Sequence, residues 1–171
     1  MSDSEQVQYP DTLANAAHNL PTVERAQEMI DIDLKYGSCF FNSDFDGMRE
    51  CLVDSPEFEM HPLGIRISGM EAVIERSKRV QAGLLAPVDP RSNKPVVVRT
   101  ACFSKDAMMV EWNAELAFPD GTIRKCYAVA VIPYDGDKIV GERVYTCENF
   151  AELRKQALGA DFSDVEGVTR L

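Results

Sequence analysis

Alternation of apolar and polar residues is strongest between Pro95 and Cys147. Two apolar-rich runs, Ala107 to Phe118 and Ile123 to Tyr134, flank Pro119-Asp120-Gly121-Thr122. Asp-Gly between such runs predicts an antiparallel hairpin. With Asp120 and Gly121 as a two-residue loop, Asn113 stands opposite Ala128, Glu111 opposite Ala130 and Glu115 opposite Cys126. Opposed residues share a face. One face then carries Glu111, Asn113 and Glu115 beside Cys126, Ala128 and Ala130. The other carries Val110, Trp112, Ala114, Tyr127, Val129 and Val131, and reads as packed core or a subunit interface. Carboxylates and an amide among small alanines suit the wall of a ligand cavity; the plainer reading is a face turned to water. A third strand, Lys138 to Thr146, follows Asp135-Gly136-Asp137. A three-residue loop sets Glu142 beside Ala130 and Val144 beside Ala128. A two-residue loop sets Arg143 and Tyr145 there instead, because a slip of one residue exchanges the faces. The longer loop is preferred. Upstream, Val96 to Phe103 forms a further strand, with Val98 and Thr100 beside Asn113 and Glu111.

Before the strands the period changes to that of helices. Thr22 is placed as N-cap of a helix reaching about Asn42, with Ala26, Met29, Ile30, Asp33 and Leu34 at rough helical spacing. Tyr36 sits near its end, one turn after Asp33. A short helix follows from Phe45 to Val53. Glu57 to Pro62 alternates strictly, so that Glu57, Glu59 and His61 share a face, and Pro62 ends that strand. Leu63 to Ser68 is a short irregular or strand segment. A third helix starts at Gly69-Met70 and runs to about Ala82, with Arg76, Lys78 and Arg79 on a face expected to be solvated. Leu84 to Lys94 reads as a long loop, and Asn149 to Leu158 as a final amphipathic helix ended by Gly159. The domain plan is an N-terminal arm (1–20), one domain (21–158) and a loose C-terminal tail (159–171).

Composition narrows the function. The 171 residues carry a net charge of −10, and no basic cluster exceeds Glu75-Arg76-Ser77-Lys78-Arg79. Nucleic acid and anionic membrane surfaces are therefore not expected partners. Five cysteines without CxxC spacing, and no signal peptide before them, predict a reduced cytoplasmic protein with buried thiols. Cys126 in particular has no base paired with it by sequence. Two histidines without ligand-spaced neighbours give no metal site, and no cofactor motif is present. Apolar runs are too short to span a bilayer.

The order of these elements resembles the nuclear transport factor two (NTF2)-like superfamily, most closely its SnoaL-like and ketosteroid isomerase-like branch. The residues that carry the resemblance are Asn42-Ser43-Asp44-Phe45-Asp46, Glu59-Met60-His61-Pro62-Leu63-Gly64, Ser68-Gly69-Met70-Glu71-Ala72-Val73 and Asp137 to Tyr145. It covers about Val23 to Leu158. It implies an α+β fold: a cone-shaped, curved antiparallel sheet wrapped around helices, a cystatin-like α+β barrel. It also implies a pocket between sheet and helices, and a homodimer through the outer sheet face. In the isomerase branch a general-base carboxylate sits just before the Pro-x-Gly segment, where this chain has His61. A tyrosine of the first helix donates to the substrate oxygen, and Tyr36 falls at the matching distance. The second oxyanion donor falls at Ala130 and is missing. In the epoxide hydrolase branch an Arg and an Asp match Glu111 and Asn113, and a last-strand Asp matches Val144.

The expected catalytic residues are therefore His61, Tyr36, Glu111 and Asn113. Histidine titrates near neutrality and suits proton transfer. A carboxylate partner (Glu59, Glu111 or Glu142) would hold His61 in one tautomer, while Tyr36 or Asn113 polarises a carbonyl. The plainer reading of His61 is a structural residue closing the strand before Pro62. Expected ligand contacts are Glu59, Ala128, Ala130, Glu142, Val144 and Trp112; Trp112 also belongs to the expected interface. The expected function is a cofactor-independent lyase or isomerase acting beside the carbonyl of a small apolar molecule, polyketide, terpenoid or steroid-like. The alternative is a non-catalytic binding or dimerisation module.

Overall fold

A computed structural model describes residues 19–84, 97–118 and 120–171. All but the last two residues of the expected N-terminal arm, and the expected loop after Leu84, lie outside the described residues. Helix α1 (Val23–Phe41) opens where the sequence places its cap, with Thr22 Oγ1 accepting from Arg25 N at 3.1 Å. Helix α2 (Phe45–Cys51) is capped in the same way by Asp44, which accepts from Gly47 N. Strand β1 (Leu52–Met60) starts five residues earlier than its alternation suggests and runs through Asp54-Ser55-Pro56. A 3-10 turn (His61–Leu63) follows it, then β2 (Ile65–Ser68) and helix α3 (Met70–Leu84). Strands β3 (Val97–Phe103), β4 (Ala107–Ala117), β5 (Ile123–Asp135) and β6 (Lys138–Thr146) form the meander, and helix α4 (Glu148–Leu158) follows.

The segment expected to be a loose tail is structured. A 3-10 turn (Ala160–Asp164) buries Phe162, and β7 (Val168–Arg170) pairs antiparallel with β2. Gly167 makes this pairing possible. Its φ is +88°, its carbonyl accepts from Ser68 N at 2.8 Å, and a Cβ there would strike the Ser68 backbone.

The seven strands make one sheet in the order β3-β4-β5-β6-β1-β2-β7. All neighbours are antiparallel except β1 and β6, which run parallel with Phe58 beside Glu142 and Met60 beside Val144. The sheet is thus mixed, and its two edge strands, β3 and β7, do not close it. The α+β class holds, with helices on one face.

The register of the β4–β5 hairpin differs from the expected one. Ala117 pairs with Ile123, so five residues rather than two form the connection. Within it Asp120 Oδ1 accepts from Thr122 N and Oγ1, and Gly121 N donates to Phe118 O. The Asp120 side chain stabilises this wider turn. Every pairing then moves by one residue: Trp112 faces Ala128, Val110 faces Ala130 and Asn113 faces Tyr127. The physical reason is burial. This register places Val110, Trp112, Ala114, Cys126, Ala128, Ala130 and Ile132 together on the inner face. Trp112 meets Phe150 of α4 edge-on, with ring centroids 5.1 Å apart. Glu111, Asn113 and Glu115 share the outer face with Tyr127, Val129 and Val131.

At the next turn the shorter loop is present: Asp135 pairs with Lys138 around Gly136-Asp137. Alone, it would put Arg143 and Tyr145 inside. A β-bulge between Val131 and Tyr134 restores the phase, so Ala130 pairs with Val144 and Ala128 with Thr146. Glu142 and Val144 therefore face the helices as expected, by a different route.

Candidate functional site

The inner face of the sheet meets one side of each of three helices, and polar groups from all of them converge. On α1, Met29, Asp33, Tyr36 and Phe40 follow one another down one side at helical spacing. On α3 the inward side is Val73, Arg76-Ser77 and Val80; on α4 it is Phe150, Leu153-Arg154 and Leu158. Arg76, expected on a solvated face, is 4 % exposed, and Arg154 is 8 % exposed. Long guanidinium side chains at helical spacing with apolar neighbours enter the interior with them. Arg76 lies over the Phe58 ring and Arg154 over the Phe150 ring, with Cζ 5.5 and 4.5 Å from the centroids.

These groups feel one another. Arg76 Nη2 stands 3.7 Å from Glu142 Oε2, an ion pair too long for a hydrogen bond. Burial, and then the Glu142 charge, push the Asp33 carboxyl up to about 6. Burial pushes the Tyr36 phenol up to about 12, with Arg76 opposing and Glu142 adding to the shift. Burial pushes Arg154 down to about 9, Arg76 adds to that effect, and it stays charged at neutral pH. Tyr134, also pushed up by burial, donates its O–H to Met29 O at 3.2 Å. Ser77 is fully buried and donates to Val73 O.

Several of these buried polar atoms have no hydrogen-bond partner of good geometry among the described residues: Tyr36 Oη, which lies near the Ser77 hydroxyl, Arg76 Nε, Arg154 Nε and Nη1, and Thr146 Oγ1 on the inner face of β6. Orphaned buried polar atoms are few in native proteins, and such clusters mark sites where a ligand or ordered water completes the bonding.

Of the residues nominated from sequence, Tyr36, Ala128, Ala130, Glu142, Val144 and Trp112 come together on this inner side. His61, Glu59, Glu111 and Asn113 do not. His61 stacks on the Tyr145 ring at 4.4 Å and 8°, on the outer side of the sheet. Its Nε2 is 3.0 Å from Glu59 Oε2, and Arg66 Nη2 donates to Glu59 Oε1 at 2.8 Å. That hydrogen bond from Arg66 holds the Glu59 carboxyl below the usual range. Glu111 accepts from Thr100 Oγ1 at 3.0 Å on the outer face. Asn113 lines a shallow cleft of about 260 Å³ with Val97, Arg99 and Tyr127. A half-open cleft of about 970 Å³ lies among Pro62, Ile65, Lys155, Gln156, Phe162 and Arg170, and none of the interior titratable groups lines it.

Asp33, Arg76 and Arg154 are the members that the sequence reading missed as site residues. Their signal was helical spacing: each falls on the apolar side of its own helix. Cys126 is fully buried, and burial pushes its thiol up to about 12, so it stays protonated. Among the described residues no group of three or more His, Cys, Asp or Glu is arranged to hold a metal ion. No described helix is long and apolar enough to cross a membrane.

No known protein-family profile matches the sequence, and no curated protein matches it. Solved structures do match. An NTF2-like protein from Burkholderia xenovorans superposes with a TM-score of 0.58 at 15 % identity, over 75 % of this chain and 97 % of that one. A protein with a cystatin-like fold from Silicibacter pomeroyi gives 0.59 at 12 % identity, over 81 % and 94 %. A structure described as a putative ketosteroid isomerase, from Kribbella flavida, gives 0.52 at 11 % identity, over 71 % and 79 %. At these identities the likeness is one of fold.

Proposed function

We propose, for a chain with the NTF2-like, ketosteroid isomerase-like fold, a cofactor-independent isomerase or lyase chemistry carried out at the interior polar cluster. Asp33 takes a proton from the carbon beside a carbonyl, and Tyr36 donates its O–H to the oxygen on which negative charge develops. The resulting enolate takes that proton back from Asp33 at another carbon of a conjugated system, which is isomerisation, or expels a leaving group from the next carbon with Asp33 returning the proton to it, which is elimination. Arg76 adds positive charge close to the developing oxyanion.

The observation that carries this reading is the pairing on α1: a carboxyl raised to about 6 one turn from a buried phenol. A base poised near neutral pH and a preorganised donor are the two groups that this reaction needs. The small residues Ala128 and Ala130 on the facing strand favour a small, largely apolar polyketide, terpenoid or steroid-like substrate. A second seat, His61 with Glu59 at 3.0 Å, has the histidine–carboxylate pair that the sequence suggested. It is more exposed, and its carboxylate is already engaged by Arg66.

Exchange of the hydrogens beside the carbonyl of a ketone panel, followed by NMR in deuterated water, tests the reading and the seat together. Asp33→Asn abolishing exchange while His61→Ala preserves it supports the interior seat. The reverse pattern moves the chemistry to His61. Ligand binding without exchange on any ketone leaves the non-catalytic binding module as the better account.

We also propose a homodimer through the outer sheet face, where Val97, Met109, Tyr127 and Tyr145 are exposed beside Val129 and Val131. These exposed apolar side chains, interleaved with Glu111 and Asn113, fit a self-complementary contact. Trp112, which points inward, takes no part in it.

A further inference from the structure

The two buried arginines do more than the proposed proton transfer requires. We infer that Arg76 and Arg154 form an anion-binding floor to the interior site, and that its ligand carries a single carboxylate on an otherwise apolar body. The inference deepens the proposed function by naming a substrate class. It rests on that reading for the chemistry, though not for the binding.

Three observations lead to it. Arg154 is almost fully buried, yet its Nε and Nη1 have no hydrogen-bond partner among the described residues, and Arg76 Nε has none among them either. A guanidinium in this state has lost its hydration without replacement, which is costly unless a ligand supplies acceptors. A guanidinium presents planar forks, Nε with Nη2 or Nη1 with Nη2, that a carboxylate fills with both oxygens; at Arg154 the unpartnered Nε and Nη1 each supply one arm of a different fork. The depth gradient has the right sense as well. Asp33 and Glu142 keep partial access to solvent while both arginines are deeper.

Charge selects a monoanion. The groups facing one another are Asp33 and Tyr36 on α1, Arg76 on α3, Tyr134 on β5, Glu142 on β6 and Arg154 on α4. Two cations face Glu142 and Asp33. With Asp33 protonated in mildly acidic solution, one positive charge is left over. One carboxylate neutralises it, whereas a phosphate dianion would leave an excess beside Glu142. Proton abstraction then falls to the fraction of the occupied site in which Asp33 is ionised, so turnover rises with pH while affinity falls. The Phe58 and Phe150 rings lie under the two guanidinium groups and hold them in place.

The test uses the full chain with benzoate, phenylbutanoate, benzoylpropanoate and the methyl ester of the last. Binding is measured by calorimetry at about pH 5.5 and about pH 8, on either side of the Asp33 titration. The acids are expected to bind more tightly at the lower pH, with proton uptake, and the ester to bind at least about 10-fold more weakly than its acid. Arg154→Gln is expected to weaken the acids about 10- to 100-fold and to leave the ester unchanged. Arg154→Met, which fills the same volume without charge, repeats the comparison if the glutamine variant does not fold. Equal binding of acid and ester, full acid binding by the Arg154 variants, or no acid binding at millimolar concentration would each overturn the inference. Hydrogen exchange on benzoylpropanoate separates the two claims. Arginine-dependent acid binding without exchange sinks only the proton-transfer reading. Equal exchange on acid and ester, indifferent to Arg154, sinks only the carboxylate.

Discussion

Two clusters of similar composition lie on opposite faces of the sheet. Outside, Glu59 is bonded to both His61 and Arg66, and the set is open to water. Inside, Asp33, Tyr36, Arg76, Glu142 and Arg154 face one another with several polar atoms unpaired. The outer set satisfies its hydrogen bonds and is screened by solvent, so its net contribution to stability or catalysis is small. The inner set is desolvated, and desolvation is the first cause of the displaced titrations of Asp33, Tyr36 and Arg154. The same residue types thus become chemically poised, or not, according to burial rather than identity.

The largest effect that sharpens this contrast is on proton transfer. Asp33→Asn is expected to lower carbonyl-adjacent hydrogen exchange at least about 100-fold, the usual size for loss of a positioned base. An unchanged rate by NMR would show that the inner cluster is not the reactive one.

Next comes stability. Arg76→Ala leaves Glu142 partly buried without its cation and removes the contact with Phe58, at an expected cost of about 3 kcal/mol in urea unfolding. Arg66→Ala in the outer cluster is expected to cost under about 1 kcal/mol, because its partners stay hydrated. Similar losses for the two variants would erase the distinction.

The pH dependence has a definite sign. Asp33 titrates at about 6 in the folded chain and near ~3.9 in an unfolded one. Between those values the folded state binds more protons, so stability falls as pH rises through the window, by about 3 kcal/mol in total. Asp33→Asn is expected to remove this slope, making the variant relatively more stable at alkaline pH. Urea midpoints across the window check it, and a slope that survives the substitution belongs to another group.

On the outer face, Val129→Glu is expected to halve the mass seen by sedimentation while changing unfolding of the separated protomers little. A dimeric variant would remove this face from the interface.

Much of the fold was legible because short signals act locally. Thr22 caps its helix, Asp-Gly bends the hairpin, and the alternation of β1 survives in its buried Phe58 and Met60. The site was less legible because strand faces depend on a count of one residue. The Asp120 side chain widens its turn and moved Glu111 and Asn113 outward, a change that no alternation pattern reveals. The turn at Gly136-Asp137 and the bulge near Tyr134 contribute opposite slips, which is why Glu142 and Val144 reach the expected face, although Val144 rather than Glu142 stands beside Ala130. Pro133 was the available sign of that bulge, since a strand residue without an N–H interrupts a ladder. Arg76 and Arg154 were missed because charged residues are read as solvated by default, although each sits one turn from buried apolar residues on its own helix.

The account rests on Asp33 being a carboxyl displaced by burial. Carbon-13 NMR titration of its side-chain carboxyl, assigned by comparison with Asp33→Asn, tests this most directly. A midpoint near 6 is the predicted result; an ordinary carboxylate midpoint near ~4 would contradict the interior site and return the search to His61 and the outer face.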